Sequence, residues 1–256
     1  MPFHKIEAEK LSQAVTRQIE SLILDGILRP GARLPAERDM AAMMGVSRPS
    51  LREALAAMQE DGLLCARPGA GIFVAEILGS AFSPALVRLI ARHPEAATDY
   101  LEFRKDLEGI AAERAATKAS DGDLEVIADA LRRMQAVHDQ HDAALDAELD
   151  AAFHMAIVEA SHNIVALHMM RSMQDLLRAG VLHGRAAALF EETTTRARLL
   201  AHHEAINGAL QERDGPRARE LLCLHLDYVA ERLQEAQRYD QQDDLARLRL
   251  MRQHGR

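Results

Sequence analysis

Apolar residues recur at helical spacing along most of the chain. Near the N-terminus, positions 11, 15, 19, 22 and 23 are apolar, which predicts a helix over about 10–25 with one buried face. After residue 84 the same period continues, and turn residues interrupt it at intervals. It predicts seven more helices, at about 84–92, 97–118, 122–139, 143–160, 164–187, 192–212 and 215–237. Only 14 residues are Gly and 8 are Pro, so a mainly α-helical protein is expected.

The segment 34–52 has the pattern of two short helices joined by a tight turn. Gly45 suits the turn, where a left-handed backbone costs a glycine least. Ser47 suits the N-cap of the second helix, which then begins with Arg48 and carries Arg52 one turn later on the same face. Arginines at the start of such a helix can contact guanine or phosphate. We predict a helix-turn-helix, with a helical hairpin bearing solvated arginines as the alternative.

Two short apolar runs follow, at 63–66 and 72–75. Between them lies the turn sequence Arg67-Pro68-Gly69-Ala70-Gly71, and this combination predicts a β-hairpin. A helix, a helix-turn-helix and a hairpin in this order make a winged helix with Gly69 near the wing tip. We therefore expect a DNA-binding domain over 1–75 and a short linker over 76–83.

Residues 8–75 resemble the DNA-binding domain of the GntR superfamily of bacterial transcription regulators. The resemblance implies DNA contacts by Arg38, Arg48 and Arg52 and by the wing glycine Gly69, and we add Ser50 to this set. The wing departs from the common pattern, because Ala70 and Ile72 stand where relatives often have Gly and Thr. The motifs that carry the resemblance are Leu34-Pro35-Ala36-Glu37-Arg38, Val46-Ser47-Arg48-Pro49-Ser50-Leu51-Arg52-Glu53-Ala54-Leu55, Asp61-Gly62-Leu63-Leu64 and Gly69-Ala70-Gly71-Ile72-Phe73-Val74.

The net charge of −8 is unusual for a DNA-binding protein. It is unevenly distributed: residues 1–75 hold nine basic and nine acidic residues, and the segment 29–52 holds five arginines against two acids. Because affinity for DNA depends on where positive charge lies, we expect a few local contacts to dominate binding.

The sequence has no run of about 18 apolar residues and no apolar N-terminal segment. Its two cysteines are far apart, and we expect a cytoplasmic protein.

A carboxylate and three histidines occur on apolar faces of three predicted helices. Asp150 and His154 are four residues apart, so a helix places them on one face. His203 precedes Ile206, and His225 lies among leucines. One carboxylate and three imidazoles suit a divalent transition metal. The chain has 12 histidines, however, and each of the three taken alone is more often a hydrogen-bonded core or surface residue.

Residues 84–235 resemble the FCD effector domain of the FadR-type GntR subgroup, an all-α antiparallel helical bundle. The resemblance implies that Asp150, His154, His203 and His225 bind a divalent metal, with zinc favoured and nickel or manganese open, whereas His202 is exposed. It also implies that Arg104 holds an effector carboxylate, and we add Asn163 to the effector site. The motifs are Glu102-Phe103-Arg104-Lys105-Asp106-Leu107-Glu108, Asp150-Ala151-Ala152-Phe153-His154, Glu159-Ala160-Ser161-His162-Asn163, His203-Glu204-Ala205-Ile206 and His225-Leu226. We expect this effector-binding and dimerisation domain over 84–237, then a charged tail over 238–256 that extends the last helix or is partly disordered.

Within this subgroup the chain is similar to members that sense lactate or pyruvate. The stretch from His93 to Gly109 is similar to pyruvate-responsive members, whereas the Asp150–His154 pair is usual in lactate-responsive ones. The resemblance implies a homodimeric repressor that binds a palindromic operator and releases it when a 2-hydroxy or 2-oxo acid binds. Lactate is the favoured effector. Pyruvate is the alternative effector.

The same residues leave two alternative functions open. A helical metalloenzyme would use the same Asp and His residues with a bound water. The zinc-protease pattern is absent, because position 207 is Asn in His203-Glu204-Ala205-Ile206-Asn207. No Gly-x-Ser-x-Gly elbow, P-loop or dinucleotide fingerprint occurs either, so we expect no enzyme activity. A structural metal without an effector remains the third possibility.

Overall fold

In the computed structural model the chain divides between residues 79 and 80 into two compact units. The structure describes residues 10–75, 83, 85–86, 89–90, 93–140, 142–176 and 192–254. Apart from Ser83, the predicted linker over 76–83 lies outside the described residues. Much of the helix expected at 84–92 and the second half of the one expected at 164–187 also lie outside them.

The first unit consists of three helices followed by a β-hairpin. Its elements are α1 (Leu11–Leu24), α2 (Glu37–Met44), α3 (Arg48–Glu60), β1 (Leu64–Arg67) and β2 (Gly71–Val74). The strands pair antiparallel, from Leu64 opposite Val74 to Arg67 opposite Gly71. This is the winged helix-turn-helix order that the sequence predicts.

One apolar cluster holds the first unit together. Val15 and Ile19 on α1 pack in the same cluster as Leu51, Leu55 and Met58 on α3, and each of these side chains exposes at most 2% of its surface. Burial of a side chain of this size contributes roughly 1.5–3 kcal/mol. The apolar face of α1 therefore fixes α3 from behind and leaves the opposite face of α3 exposed.

The turn between α2 and α3 has the expected chemistry. Gly45 ends α2 with φ of 64°, in the left-handed region, where a Cβ atom is unfavourable. Ser47 caps α3, because its hydroxyl oxygen accepts a hydrogen bond from the backbone N–H of Ser50 at 3.3 Å. Arg48 is consequently the first residue of the helix.

Within the described residues the second unit is entirely helical. Its helices are α4 (Pro94–Lys118), α5 (Asp121–Val137), α6 (Ala143–Ala160), α7 (Ile164–Leu176), α8 (Thr193–Gln211) and α9 (Gly215–His254), with a 3-10 turn at His138–Gln140. Helix α4 packs along α9, α5 packs against α6, and α8 packs against both α9 and α5. Among the described helices, none combines the length and the apolar composition that crossing a bilayer requires.

Small residues let α4 and α9 approach closely. Ala112, Ala115 and Ala116 on α4 are fully buried, and a Cβ atom added at Gly109 would lie only 2.9 Å from the sulfur of Cys223 on α9. This close contact brings the inward faces of both helices to the centre of the bundle.

Helix α9 continues into the segment 238–256, for which the sequence predicts either a helix extension or a partly disordered tail. It runs for 40 residues, about 60 Å, so the first alternative describes most of this segment. No Gly or Pro occurs between Pro216 and Gly255, so nothing in this stretch interrupts a helix.

Candidate functional site

Four polar side chains from three helices meet inside the second unit. Asp150 and His154 come from consecutive turns of α6, His203 from α8 and His225 from α9. One ligand atom of each lies within 4.8 Å of all the others. The Nε2 atom of His154 lies 3.2 Å from Nε2 of His225 and 3.4 Å from Nε2 of His203. Asp150 Oδ1 lies 3.1 Å from His203 Nε2 and 3.9 Å from His154 Nε2.

These separations fit a single divalent cation. With metal–ligand distances of about 2.0–2.1 Å, two ligands of a tetrahedral site are about 3.3 Å apart. Three of the four measured separations lie between 3.1 and 3.4 Å. Three imidazole nitrogens and one carboxylate oxygen also form a donor set that transition metals accept. The four residues that the sequence indicates as ligands are thus brought together in a suitable arrangement.

Burial favours the protonation states that metal binding requires. His154, His203 and His225 expose at most 1% of their surface. Burial lowers the pKa of His203 and takes that of His225 well below its usual value, so both imidazoles are neutral. Burial opposes ionisation of Asp150 as well, but the surrounding imidazoles outweigh it and lower the pKa of this carboxyl. Neutral imidazoles and an ionised carboxylate are the metal-binding forms.

Glu108 on α4 orients one of these imidazoles. Its Oε2 atom lies 2.5 Å from Nδ1 of His154, and the carboxyl group is fully buried. An ionised carboxylate can only accept a hydrogen bond, so Nδ1 of His154 donates to it, and Nε2 is the ring nitrogen that faces the other three ligand atoms. Hydrogen bonds of this kind commonly orient metal-ligating histidines.

Glu108 also holds Arg104, one turn earlier on α4. Arg104 Nε donates to Glu108 Oε1 at 2.5 Å, and Arg104 is 8% exposed. Burial opposes ionisation of Glu108, but Arg104 and His154 outweigh it and lower the pKa of the carboxyl to about 2. The two terminal nitrogens of Arg104 make no hydrogen bond to any residue that the structure describes. They are therefore available to a ligand.

The sequence places Glu108 in a motif, but it does not by itself reveal that Glu108 orients His154 and holds Arg104. The available signal was the spacing of four residues between Arg104 and Glu108, which places them on one helix face. An acidic residue on a face that becomes buried needs partners. The partner on α6, His154, is 46 positions away in the sequence and only the packing of α4 against α6 reveals it.

The structure also places Asn163 and His202, which the sequence assigned to the effector site and to the exposed surface. Asn163 follows the end of α6, and its side-chain oxygen accepts a hydrogen bond from the N–H of Ala166 at 3.2 Å. It therefore caps α7, and its contact with an effector stays a prediction. His202 is half-buried, not exposed. Its ring packs edge-on against Tyr228, because α8 lies close to α9 at this point.

The predicted DNA-contacting residues of the first unit lie mostly on its surface. Arg38 on α2 has 84% of its side chain exposed, and Arg48 is exposed at the start of α3. Arg52 Nε lies 2.7 Å from Glu37 Oε2, and 61% of its side chain is exposed. An exposed pair of this kind contributes little free energy, so Arg52 can exchange it for a phosphate or a base.

The remaining two predicted contacts differ in character. Gly69 lies in the hairpin turn with φ of 71°, a conformation that favours glycine. Ser50 is half-buried, and its hydroxyl lies 2.8 Å from that of Ser47, so it also supports the cap of α3. Arg67 is a further exposed arginine near Gly69 that the predicted set does not include, and it stacks on the ring of Phe73 at 4.3 Å.

Both units match known families. Residues 11–74 match the family described as bacterial regulatory proteins, gntR family, and residues 99–228 match the FCD domain. The chain is 35% identical over 224 residues to the "Putative L-lactate dehydrogenase operon regulatory protein" of Escherichia coli (strain K12), covering 86% of this chain and 85% of that one. It is 34% identical over 208 residues to the "HTH-type transcriptional regulator LutR" of Bacillus subtilis (strain 168), covering 81% and 94%.

A further relative and a solved structure extend the likeness. The "Glc operon transcriptional activator" of Escherichia coli (strain K12) is 32% identical over 212 residues, covering 82% of this chain and 83% of the relative. The solved structure of Streptococcus agalactiae GntR superposes with a TM-score of 0.52 at 21% identity, covering 86% of this chain and all of that one. This structural likeness supports the fold.

Proposed function

The chain belongs to the GntR family of bacterial regulatory proteins, with an FCD domain after its helix-turn-helix, and on this premise we propose that it is a repressor released from DNA by a small monocarboxylic acid. It is a DNA-binding transcription regulator of this type and not an enzyme. The observation that carries the proposal is the convergence of Asp150, His154, His203 and His225 beside the buried Arg104.

The DNA-binding half of the proposal rests on the exposed face of α3. Arg48 and Arg52 lie on the first two turns of this helix, where side chains reach base edges in the major groove. Arg38 and the wing around Gly69 then contact the backbone on either side. GntR-type regulators typically dimerise, and a two-fold dimer requires a palindromic operator.

The metal half of the proposal assigns the four converging side chains as ligands of a divalent cation. Zinc fits best, because the ligand atoms are spaced as in a tetrahedral site and three of them are nitrogens. Nickel and manganese are the alternatives that metal analysis of the purified protein would reveal. The cation would supply a positive charge that polarises a hydroxy or keto oxygen of the effector.

The charges around the site favour a monocarboxylate. Asp150 and Glu108 are ionised, Arg104 is positive, and the buried imidazoles of His203 and His225 are neutral. With His154 bound to the cation as a neutral imidazole as well, the formal charge of these groups is −1, and a divalent cation brings it to +1. One carboxylate neutralises it, whereas a dicarboxylate would leave an uncompensated buried negative charge, which is costly.

A 2-hydroxy or 2-oxo acid combines the two features that this site can bind. Its carboxylate suits the terminal nitrogens of Arg104, which can form two parallel hydrogen bonds to it, and its second oxygen suits the cation. Lactate is the first candidate because a relative is named for an L-lactate dehydrogenase operon, and pyruvate and glycolate follow. The acid can release DNA only if it binds the arrangement of the protein that is free of DNA more tightly than the arrangement that binds DNA.

A gel-shift assay tests the proposal directly. Zinc-loaded protein should retard DNA from upstream of its own gene, and millimolar L-lactate, D-lactate, pyruvate or glycolate should release it. A dicarboxylate such as succinate serves as the charge control and should have no effect. Absence of retardation at low salt would overturn the DNA-binding assignment. Retardation that all four acids leave unchanged would indicate a metal with a purely structural role.

The Arg104→Ala variant tests the carboxylate site separately. It should retain zinc and bind the same DNA, but the acids should no longer release it. Release at wild-type concentrations of acid would show that the carboxylate binds elsewhere.

A further inference from the structure

A buried hydroxyl on α4 has no hydrogen-bond partner. Tyr100 exposes 6% of its surface, and its phenolic oxygen contacts no donor or acceptor among the residues that the structure describes. Buried polar groups are nearly always hydrogen-bonded, so an exception requires an explanation, and one of these is a missing ligand. Tyrosine hydroxyls in particular find partners when they are buried.

Tyr100 belongs to the face of α4 that carries the site. It lies one turn before Arg104, which itself lies one turn before Glu108. The guanidinium carbon of Arg104 is 6.0 Å from the centre of the Tyr100 ring. Three side chains at intervals of four residues thus form one stripe. Arg104 and Glu108 pair with each other, whereas the Tyr100 hydroxyl has no hydrogen-bond partner in the part of the chain that the structure describes.

The other buried residues that cluster with Tyr100, among those that the structure describes, are apolar. The ring belongs to a buried cluster of Leu101, Met173, Leu199 and Leu233, which come from four helices. Leu199 lies one turn before His203 on α8. Tyr100 therefore lies next to Arg104, at the end of the stripe away from Glu108. Burial also raises the pKa of Tyr100 far above its usual value, so the group is a neutral phenol that can donate a hydrogen bond.

We infer that the Tyr100 hydroxyl is a specificity-determining contact that donates a hydrogen bond to the carboxylate oxygen of the effector held by Arg104. This inference rests on the proposed function, since it requires a carboxylic acid at Arg104. Binding of the acid gives the hydroxyl the partner that it otherwise lacks. A site that provides a buried hydroxyl for one ligand oxygen also disfavours ligands that have no acceptor there.

The Tyr100→Phe variant isolates this contact, because it removes one oxygen atom and keeps the ring. In zinc-loaded protein, calorimetric titration with L-lactate should show affinity at least ~10-fold below wild type, as expected for loss of a hydrogen bond to a charged group. The melting temperature without acid should be equal or higher, because an unpartnered buried hydroxyl is lost. The matched control is Tyr239→Phe, in which the same atom is removed from a residue that is 72% exposed; its affinity should equal that of wild type.

The outcomes separate this inference from the proposed function. If wild type binds L-lactate, Arg104→Ala does not, and Tyr100→Phe binds within ~2-fold of wild type, the role of Tyr100 is overturned and the carboxylate site stands. A lower melting temperature of acid-free Tyr100→Phe with unchanged affinity also overturns it, because the hydroxyl then has a structural partner such as a buried water. Wild-type protein that binds none of L-lactate, D-lactate, pyruvate and glycolate overturns both.

Discussion

Replacing Glu108 by Gln tests whether one buried carboxylate organises the whole effector site. The substitution keeps the size of the side chain but removes one negative charge and one acceptor. In the native protein the two carboxylate oxygens accept from Arg104 Nε and from His154 Nδ1, each at 2.5 Å. A glutamine has one acceptor oxygen and one donor NH2 group, so it can satisfy only one of the two.

Both orientations of this glutamine are unfavourable. If its oxygen faces His154, its NH2 group meets the N–H of Arg104, and a buried donor is left unpaired. If its oxygen faces Arg104, the NH2 group favours a lone pair on Nδ1 of His154 and moves the ring proton to Nε2. A proton on Nε2 would point into the cluster of proposed ligand atoms and oppose a cation.

The expected loss of metal affinity is about 10–100-fold, the usual result of removing a group that orients a metal-ligating histidine. Stability should fall too. The pKa of Glu108 is lowered from 4.5 to about 2, and a shift of this size corresponds to roughly 3 kcal/mol in favour of the ionised form. Because the folded-state pKa is the lower one, this contribution is present above pH 4.5 and is lost as the pH falls towards 2.

Chelator competition measures zinc affinity, and urea denaturation of the metal-free protein at pH 7 and pH 4 measures stability. The matched control is Glu113→Gln on the same helix, where the carboxylate pairs with Arg219 at 2.9 Å and 42% of its side chain is exposed. This control should bind zinc normally. Zinc affinity of Glu108→Gln within about 2-fold of wild type, together with unchanged stability, would refute the reasoning.

Three further predictions concern the DNA surface, the ligands and the turn. Arg48→Ala and Arg52→Ala should each weaken operator binding by roughly 1–3 kcal/mol in a gel-shift titration, and unchanged affinity in both would mean that α3 does not enter the groove. His154→Ala should abolish the rise in melting temperature that zinc gives wild type; an equal rise would remove His154 from the ligand set. Gly45→Ala should lower the unfolding free energy in urea by about 1–2 kcal/mol, because its φ of 64° is unfavourable for a residue with a Cβ atom. No clash adds to this cost, since an added Cβ atom would meet nothing within 4 Å. An unchanged unfolding free energy would show that the turn adapts.

Several features of the fold are readable from local sequence. The cap at Ser47 and the turn at Gly45 follow from the conformations that these residues prefer, and the structure has both. The paired strands around Gly69 follow from two apolar runs and a turn. Such features depend on residues within a few positions of one another, so no knowledge of the tertiary fold is needed.

Prediction was weaker where a side chain has a choice of local and distant partners. Asn163 is predicted as an effector contact; its oxygen accepts a hydrogen bond from the backbone at the start of α7, and the effector role stays a prediction. For the segment after 237 the sequence allowed either a continued helix or a partly disordered tail, because polar composition does not stop a helix by itself. Helix α9 continues to His254.

By itself, the sequence determined the winged helix-turn-helix and the helical character of the rest, because the periodicity, caps and turns that encode them are local. The candidate ligands followed from the resemblance to a known family. Only the tertiary structure decided which side chains share the interior. Glu108 meets His154 across 46 positions, and the Tyr100 hydroxyl is buried without a partner, because the packing of helices sets both environments. The physical reason is that the charge state and hydrogen bonding of a buried group depend on whatever surrounds it in space.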